Sequence, residues 1–522
     1  MTPAVAEELQ CDVLVAGGGI NGVAIARDAA GRGLNTILCE QDDLASHTSS
    51  ASTKLIHGGL RYLEHGQISL VRKALQEREV LLRVAPHLVR PLRLVLVHDD
   101  SMRPTWMLRA GLWLYDLLAG RSSLPGSRRV DLTRHPAGQA LRPGFRTAFE
   151  FSDACTDDAR LVMTAAVDAA ERGARILTRM RLTQAQRSGQ QWVAGAVGAD
   201  GSAVRIRAAA LVNATGPWAG RFLQQLGTTG SERRLRLIKG SHLVVRRRFG
   251  HEFAYMLQSA DRRIAFAIPY EGDFTLIGTT DIEVDQEPGV SQIDASEVDY
   301  LCELVNRYLR QPITAADVAW TFSGVRPLLD DGAGPSDLTR DFALELDWQG
   351  APLLTVWGGK VTTFRTLAEE AVDQLAPSLG CARAGWTRTA VLPGGELPSV
   401  GRRGRGASAL DQFLAELSRQ YGWAPQAMLR RMALAYGSRV PIVLGPAHRL
   451  ADLGEPIAEG LYEAELEYLV AREWAASADD VLWRRSKLGL HLSQREQERV
   501  SQLIQQRWAR RSTGGGSSQG SV

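Results

Sequence analysis

The feature that most constrains the fold is a glycine-rich turn between an apolar strand and a helix near the start of the chain. The pattern predicts a strand over 13–15, a helix from Ile20 to Arg32 and a second strand over 36–39. Glu40 follows the second strand, 18 residues after the last glycine of the turn. This order is typical of a dinucleotide-binding βαβ unit. The glycines of the turn are Gly17, Gly19 and Gly22.

Each part of this unit has a physical role in binding a dinucleotide. Gly17 permits the tight turn, Gly19 lets the backbone approach a pyrophosphate, and Gly22 lets the helix pack closely on the strand. Ile20 and Asn21 begin the helix, whose N-terminal N–H groups and partial positive charge attract phosphates. The acidic residue after the second strand can accept hydrogen bonds from an adenosine ribose. It would repel a 2′-phosphate, which disfavours NADP.

A second glycine turn favours FAD over NAD. An apolar strand over 353–357 precedes Gly358 and Gly359, and a helix is predicted from Thr362 to Leu375. Glycines before a helix N-terminus can place N–H groups at the flavin edge where negative charge develops on reduction. The two turns are hundreds of residues apart in the chain, which suits FAD because its isoalloxazine ring reaches into a second domain. Near its adenine half we expect the strand that ends at 213–217, with Ala214 and Gly216.

Composition excludes several classes of protein. The 61 basic and 58 acidic side chains of the 522 residues leave a charge of +3, which implies no nucleic-acid partner. Five scattered cysteines without a C-x-x-C pair argue against a disulfide scaffold, a zinc ribbon or an iron–sulfur cluster. The ten histidines show no metal-binding spacing, so no metal is expected. The longest uncharged run, 13–26, is shorter than the roughly 20 residues of a membrane span.

The expected fold class is α/β (α+β). A Rossmann-like FAD-binding domain is interleaved with a β-rich substrate domain, and a C-terminal all-helical domain follows. The FAD-binding parts are 1–80, 161–235 and 346–395; the substrate parts are 81–160 and 236–345, the latter an antiparallel sheet; the helical domain is 396–511; and a Gly/Ser-rich tail, 512–522, is expected to be disordered.

Several longer motifs make the chain resemble the FAD-dependent, quinone-linked (aerobic-type) glycerol-3-phosphate dehydrogenases. These belong to a wider group of flavoenzymes that resemble D-amino acid oxidase and glycine oxidase. The resemblance extends from about residue 10 to 510. The motifs are GGGINGVAIARDAAGRG (17–33), SSASTKLIHGGLRYLEHG (49–66), ATGPWA (214–219), LIKGSHLVV (237–245), IGTTDIE (277–283), SGVRPL (323–328) and WGGKVTTFRTLAE (357–369).

The resemblance implies oxidation of sn-glycerol 3-phosphate to dihydroxyacetone phosphate, with FAD as the first electron acceptor. It also implies a membrane quinone as the second acceptor. The protein would then be cytoplasmic and attached peripherally to the inner face of the cytoplasmic membrane. A homodimer is left open.

Such a substrate needs an anchor for its phosphate dianion. Arginine suits this role because its planar fork binds phosphate bidentately. The resemblance places Arg61, Tyr62, Thr279 and Arg326 at the phosphate, with Arg340 as a further contact. Thr280 could add another hydroxyl donor.

The reaction also needs a base for the hydroxyl proton, and three residues are candidates. His57 precedes a glycine pair, and its ordinary pKa suits proton removal at neutral pH. Lys360 could lose its proton if it is buried beside arginines, or stay charged and polarise the alcohol oxygen. The preferred assignment is His57 as base and Lys360 as electrostatic partner, with Arg326 also at the catalytic centre; His242 is the third candidate.

Two segments remain open between a functional and a structural role. Ser49, Ser50 and Ser52 could bind the FAD pyrophosphate, as the family pattern favours, or form a solvated loop; Thr362 completes the predicted cofactor contacts. The apolar segment 106–115 could lie in a membrane interface or be a buried helix. Basic residues flank it: Arg103, Arg121, Arg128 and Arg129.

Three other functions remain possible. A glycerol-3-phosphate oxidase would share the motifs and pass electrons to oxygen, but the sequence has no low-complexity insertion between 285 and 320, which favours a dehydrogenase. An amine or amino-acid oxidase would bind a carboxylate with one arginine rather than several. A non-catalytic flavoprotein would use the helical domain to bind a partner.

Overall fold

A computed structural model describes residues 7–64, 66–99, 102–227, 233–259, 263–284, 289, 291–330, 340–398 and 408–513. The chain forms two compact units, Met1–Leu392 and Pro393–Val522. The strands of the first unit are β1 (Glu7–Ala16), β2 (Thr36–Cys39), β3 (Leu55–Ile56), β4 (Val89–Val97), β5 (Arg128–Asp131), β6 (Thr147–Thr156), β7 (Arg175–Leu177), β8 (Met180–Ser188), β9 (Gln191–Gly198), β10 (Ala203–Asn213), β11 (Leu235–Arg246), β12 (Ala254–Gln258), β13 (Ile264–Tyr270), β14 (Phe274–Gly278), β15 (Ile282–Glu283), β16 (Val318–Leu329), β17 (Phe342–Asp347) and β18 (Leu353–Gly358).

The helices of the first unit are α1 (Ile20–Gly31), α2 (Ile68–Val84), α3 (Thr105–Ala119), α4 (Asp158–Glu171), α5 (Ala219–Gln225), α6 (Ala295–Asn306) and α7 (Phe364–Leu375). The sequence prediction of α1 is right to within a residue at its end, and the predicted bounds of β2 are confirmed. The helix predicted from Thr362 begins two residues later, at Phe364.

The first sheet is the nucleotide-binding layer. Its strand order is β17-β18-β10-β1-β2-β7, and the hairpin β8–β9 joins it through β10. Strands β18, β10, β1, β2 and β7 run parallel. The parallel strands are buried on both faces, which explains why 13–16 and 353–357 read as continuous apolar runs. Parallel strands end at the same edge, so the turns that follow β1, β2, β10 and β18 all meet there.

The second sheet has ten strands and is mainly antiparallel. Its order is β15-β11-β14-β13-β12-β4-β6-β3, with β16 paired to β11 and β5 paired to β6. The long pair β11–β16 places Arg326 opposite Ile238. Strand β3, within 1–80, belongs to this sheet, whereas β17 belongs to the first sheet although it begins inside 236–345. The domain boundaries themselves stay predictions.

Helix α3 presents two different faces. Leu112, Tyr115 and Ala119 are buried. Trp106 and Trp113 lie on the other side and are 68% and 61% exposed. The alternative of a helix buried all round is therefore wrong for α3, because two of its tryptophans face outward.

The second unit is mainly helical. Its apolar core is formed by α8 (Ala409–Gln420), α9 (Gln426–Tyr436), α10 (Val440–Leu444), α11 (Glu463–Arg472) and α12 (Gln494–Thr513). A short antiparallel pair, β19 (Pro456–Ala458) and β20 (Leu461–Tyr462), interrupts the helices that the sequence predicts. The predicted disordered tail begins inside α12, and its remaining part, 514–522, lies outside the described residues.

Among the described residues, every helix is too short or too polar to cross a bilayer.

Candidate active site

A cavity of about 440 Å³ opens at the edge of the first sheet where the parallel strands end. The turns after β1, β10 and β18 line it, together with the serine-rich loop before β3. Thirteen of the fifteen predicted cofactor contacts line this cavity: Gly17, Gly19, Ile20, Asn21, Glu40, Ser49, Ser52, Ala214, Gly216, Gly358, Gly359, Lys360 and Thr362.

Two predicted contacts do not line it. Gly22 lies against the turn itself, and a Cβ there would lie 1.9 Å from the carbonyl oxygen of Gly17. Its role in the structure is close packing, as the glycine pattern predicts. Ser50 donates its hydroxyl to the carbonyl of His47 at 3.2 Å and so stabilises the loop.

The N-terminus of α1 faces the cavity. Its N-cap residue is Gly19, which has no side chain that could cap the helix. Ile20 N donates instead to Ser49 Oγ at 2.9 Å, and this bond holds the serine loop against the helix. The Glu40 carboxylate accepts from the N–H groups of Gly18 at 2.6 Å and Asp42 at 2.8 Å. Burial raises the pKa of Glu40. Each of its oxygens keeps a further lone pair for a ligand hydroxyl.

The turn after β18 lines the same cavity beside the start of α1. Gly358 and Gly359 have φ of +74° and +111°, a conformation that favours glycine. Asn21 Nδ2 donates to the Gly358 carbonyl at 3.2 Å and so ties this turn to α1. Thr362 Oγ1 accepts from His57 N at 3.3 Å, which brings the histidine loop to the same place.

A cluster of charged side chains surrounds Tyr62 beside this turn. Arg326 donates to Thr279 Oγ1 at 2.8 Å and forms an ion pair with Asp281. Arg340 lies 3.7 Å from the same carboxylate. Lys360 Nζ lies 4.0 Å from the centroid of the Tyr62 ring, and among the described residues it has no hydrogen-bond partner. Arg326 and Arg340 share the Asp281 carboxylate, and Lys360 lies on the other side of the Tyr62 cluster, an arrangement that favours an anionic ligand.

The electrostatics of the cluster shift the pKa values of its members. Burial, followed by the charges of Lys360 and Arg340, lowers the pKa of His57 to about 3, so its imidazole is neutral. Burial also lowers the pKa of Lys360, and Arg340 lowers it further. For Tyr62, burial alone would raise the pKa, but the charges of Arg340, Lys360 and Arg326 outweigh it and lower the pKa.

A second cavity of about 90 Å³ shares its wall with the first. His57, Tyr62, Thr279 and Arg340 line both cavities. Arg61, predicted as a phosphate anchor, lines only the smaller one. Each of the five predicted substrate contacts thus lines at least one of the two cavities: Tyr62, Thr279 and Arg340 line both, Arg326 lines the larger one and Arg61 the smaller one.

His242, the third candidate base, lines neither cavity. Its ring stacks on Phe322 with 4.7 Å between centroids, and its Nε2 lies 3.0 Å from Thr53 Oγ1. Burial lowers its pKa. These contacts make His242 a packing residue of the second sheet, separated from the main cavity by Thr53.

Comparison with known proteins agrees with this geometry. A sequence profile described as FAD dependent oxidoreductase matches residues 12–365, and one described as the C-terminal domain of alpha-glycerophosphate oxidase matches 386–509. A glycerol-3-phosphate dehydrogenase of Pseudomonas aeruginosa is 50% identical over 95% of both chains. The chain belongs to the FAD-dependent glycerol-3-phosphate dehydrogenase family.

Two further similarities define the family relationship. A D-erythritol 1-phosphate dehydrogenase of Brucella abortus is 46% identical over 94% of this chain and 97% of its own length. The solved glycerol-3-phosphate dehydrogenase of Bacillus halodurans, complexed with FAD, matches with a TM-score of 0.75 and 28% identity, over 96% of this chain and 91% of that one.

The cofactor of this family member is FAD, and the main cavity fits it. The glycine turns after β1 and β18 both line it, and they let a dinucleotide lie close to the backbone. Asn21 Oδ1 and Lys360 Nζ, both at the flavin end, are buried without partners among the described residues. Glu40 would hold the ribose, the start of α1 the pyrophosphate, and the glycine turn after β18 the flavin.

Asp281 is a residue of the charged cluster that the sequence interpretation did not single out. It lies within the quoted motif 277–283, directly after Thr279 and Thr280. The available signal was a carboxylate directly after two threonines that were predicted near the substrate phosphate. Its ion pairs with Arg326 and Arg340 orient both guanidinium groups toward the cavity junction.

We expect that Gly359→Ala lowers the FAD content of the purified protein to less than about half. A Cβ at Gly359 would lie 2.8 Å from Asn21 Nδ2, and φ of +111° strains any L-residue by about 1–3 kcal/mol. The FAD-to-protein absorbance ratio measures the loss. Gly189→Ala is the matched control, because Gly189 also has a positive φ (+62°) but a Cβ there meets no atom within 4 Å. Equal FAD content in both variants would contradict the prediction.

Proposed function

We propose that this chain oxidises sn-glycerol 3-phosphate to dihydroxyacetone phosphate and passes the electrons from FAD to a membrane quinone. The observation that carries the proposal is the cluster of Arg326, Arg340 and Lys360 around Tyr62, adjacent to His57 and to the flavin end of the main cavity. Family membership supports the same substrate.

The residues divide the work of an alcohol oxidation. When bound, FAD supplies the acceptor for the hydride of the carbinol carbon. Arg326 and Arg340 anchor the phosphate dianion, and Thr279 holds one guanidinium in place. This anchoring fixes the carbinol carbon against the flavin end of the cavity, which lowers the entropic cost of reaction.

The hydroxyl proton passes to His57 in this proposal. The imidazole is already neutral because burial and the cations lower its pKa. A bound phosphate dianion offsets the charges of Lys360 and Arg340, so substrate binding raises the pKa of His57 toward its ordinary value. Lys360 stays beside the reacting oxygen and stabilises its developing negative charge.

A longer polyol phosphate is a second candidate substrate. The 46% identity to a D-erythritol 1-phosphate dehydrogenase favours it, and the second cavity offers space next to the same cationic cluster. The two substrates share the phosphate and the secondary alcohol and differ by one carbon with its hydroxyl. The same chemistry serves both, so only relative rates distinguish them.

The decisive experiment is an anaerobic titration of the yellow holoenzyme. Addition of sn-glycerol 3-phosphate is expected to bleach the oxidised-flavin absorbance near 450 nm. Bleaching by D-erythritol 1-phosphate with a rate constant at least about tenfold higher would assign the longer substrate. No bleaching by either phosphate would overturn the proposal. Turnover in air with stoichiometric peroxide, and none with a quinone analogue, would identify an oxidase.

The outer face of α3 supports peripheral attachment to the inner face of the cytoplasmic membrane. Trp106, Met107, Trp113 and Leu117 are all exposed along it. Arg103, Arg121, Arg128 and Arg129 around the helix are exposed as well. Tryptophans beside arginines suit an interface that contains anionic lipid, and a quinone pool lies in the same bilayer.

The double variant W106E/W113E is expected to lose most of its cosedimentation with vesicles that contain anionic lipid. Two carboxylates on the outer face of α3 oppose both apolar insertion and attraction to the headgroups. The variant should keep its FAD, because neither tryptophan lines a cavity. Trp348→Glu is the control, since Trp348 is 54% exposed on the turn between β17 and β18. Undiminished binding of the double variant would remove α3 from the membrane contact.

A further inference from the structure

The loop that carries His57 is held from behind by a residue of α3. Gly58 N donates to the phenol oxygen of Tyr115 at 2.9 Å. The same phenol lies 2.8 and 2.9 Å from the two carboxylate oxygens of Asp153, to which it donates. Arg78 in turn donates to Asp153 Oδ1 at 2.9 Å. A continuous chain of hydrogen bonds, charge-assisted at Asp153, therefore ends on the peptide N–H directly after His57.

This chain is deeply buried and closely packed. Tyr115 and Asp153 are 1% and 2% exposed. The Tyr115 ring packs edge-on against Phe151, with 6.1 Å between centroids and an interplanar angle of 88°. A Cβ at Gly58 would lie 2.7 Å from the phenol oxygen, so the loop and the phenol are in direct contact. Burial raises the pKa of Asp153 to about 6.

The hydrogen bond of Tyr115 complements a second one on the other side of His57. His57 N donates to Thr362 Oγ1 at 3.3 Å, and Thr362 lies on the turn after β18 that lines the flavin end of the main cavity. The two peptide N–H groups that flank the histidine Cα are thus fixed by different elements. The first acceptor, Thr362, belongs to the wall of the cofactor cavity, and the second, Tyr115, lies behind the loop.

We propose that Tyr115, oriented by Asp153, is a positioning residue that holds the 57–59 loop and thereby the His57 imidazole against the substrate carbinol. The inference rests on the proposed function, because it concerns the proton that His57 removes. Removal of the phenol leaves Gly58 N buried without its acceptor. The loop then leaves the reactive position, and small displacements of a reacting group lower rates strongly.

The first test is Tyr115→Phe in the FAD-loaded protein, studied by anaerobic stopped-flow reduction with sn-glycerol 3-phosphate. Phenylalanine keeps the packing on Phe151 and removes only the hydroxyl. The limiting rate constant for flavin reduction is expected to fall about tenfold, with the substrate dissociation constant within about twofold. Reoxidation by a quinone analogue should be unchanged. Tyr308→Phe is the matched control, because Tyr308 is also 1% exposed and donates to the Gln258 carbonyl at 2.6 Å, but lines neither cavity.

Hydrogen–deuterium exchange gives a readout that does not depend on turnover. The peptide over 55–63 should exchange faster in Tyr115→Phe than in the wild-type holoenzyme, and Tyr308→Phe should leave it unchanged. Asp153→Asn should produce the same two effects, and the double variant should be no slower in reduction than the slower single variant, because both residues act through Gly58.

The outcomes separate the inference from the proposed function. Equal reduction rates and equal exchange in Tyr115→Phe and wild type overturn the positioning role. Equal losses in Tyr115→Phe and Tyr308→Phe overturn it too, since the effect would then be general destabilisation. If Tyr115→Phe does not bind FAD, hydrogen–deuterium exchange in Asp153→Asn decides, because Asp153 also lines the smaller cavity and its reduction rate reports the cavity as well. If wild-type flavin is not reduced by the substrate, the proposed function fails, and the exchange of the 55–63 peptide still tests the loop.

Discussion

Replacing Arg326 with alanine is expected to lower kcat/KM for sn-glycerol 3-phosphate about a thousandfold, equivalent to about 4 kcal/mol. The substrate dianion loses a bidentate partner. Asp281 also loses its ion-pair partner and is left with Arg340 at 3.7 Å, so its negative charge opposes the phosphate. Steady-state kinetics with a quinone analogue measure the change, and most of it should appear in KM because the anchor acts before and during the reaction.

Two variants test this explanation. Arg326→Lys should recover about a tenth of the wild-type kcat/KM, since lysine keeps the charge but lacks the planar fork. Arg248→Ala is the control, because the partly buried Arg248 also forms an ion pair, with Asp317 at 2.5 Å, and lines neither cavity. A loss below about tenfold in Arg326→Ala would move the phosphate anchor to Arg61 and Arg340.

His57→Gln is expected to lower the rate constant for flavin reduction by about 10³-fold, within the range of general-base contributions. Glutamine keeps a polar side chain of similar length but cannot accept the hydroxyl proton. FAD content and the substrate dissociation constant should stay close to wild type, because the phosphate is held by other residues. Anaerobic stopped-flow absorbance measures the rate. A reduction rate within tenfold of wild type would assign the proton to another group, and Lys360 would be the next candidate.

The pH dependence follows from the direction of the His57 shift. A histidine whose pKa is lowered to about 3 stays in its basic form at every pH above that value. We therefore expect kcat/KM to show no loss from His57 between about pH 5 and 8. The substrate phosphate gains a proton near pH 6, and this acid limb should remain in His57→Gln. A limb near pH 6.5 that is present in wild type and absent in the variant would contradict the lowered pKa.

The two glycine turns could be predicted closely because their information is local. Gly17, Gly22 and Gly359 are required by backbone conformation and close packing within a few residues of chain, and both turns lie where the pattern predicts them. The bounds of α1, β2 and α7 differ from the prediction by two residues at most, whereas β1 begins at Glu7, six residues before the predicted strand. Periodicity was less informative for α3, since apolar residues all round the helix are compatible with burial or exposure.

The charged cluster shows what local patterns could not provide. Arg326 and Arg340 both reach the Asp281 carboxylate, and Arg326 also donates to Thr279. These residues meet because the ends of β14 and β16, in the second sheet, lie close to the start of β17, in the first. The interpretation found the arginines through motifs, but it did not identify their shared counterion. It preferred His57 as the base and kept His242 as a third candidate, and the fold places His57 at the cavity and His242 in the packing behind Thr53.

The sequence by itself determined the βαβ unit, the second glycine turn and the family, because these depend on short segments whose backbone conformation only glycine and apolar residues allow. The tertiary structure alone decided which cations share a carboxylate, which histidine is exposed to the cavity, and that Tyr115 lies behind the His57 loop. These outcomes depend on charges and hydrogen bonds between residues that are far apart in the chain. Such interactions form only when the two sheets have folded and brought the groups together.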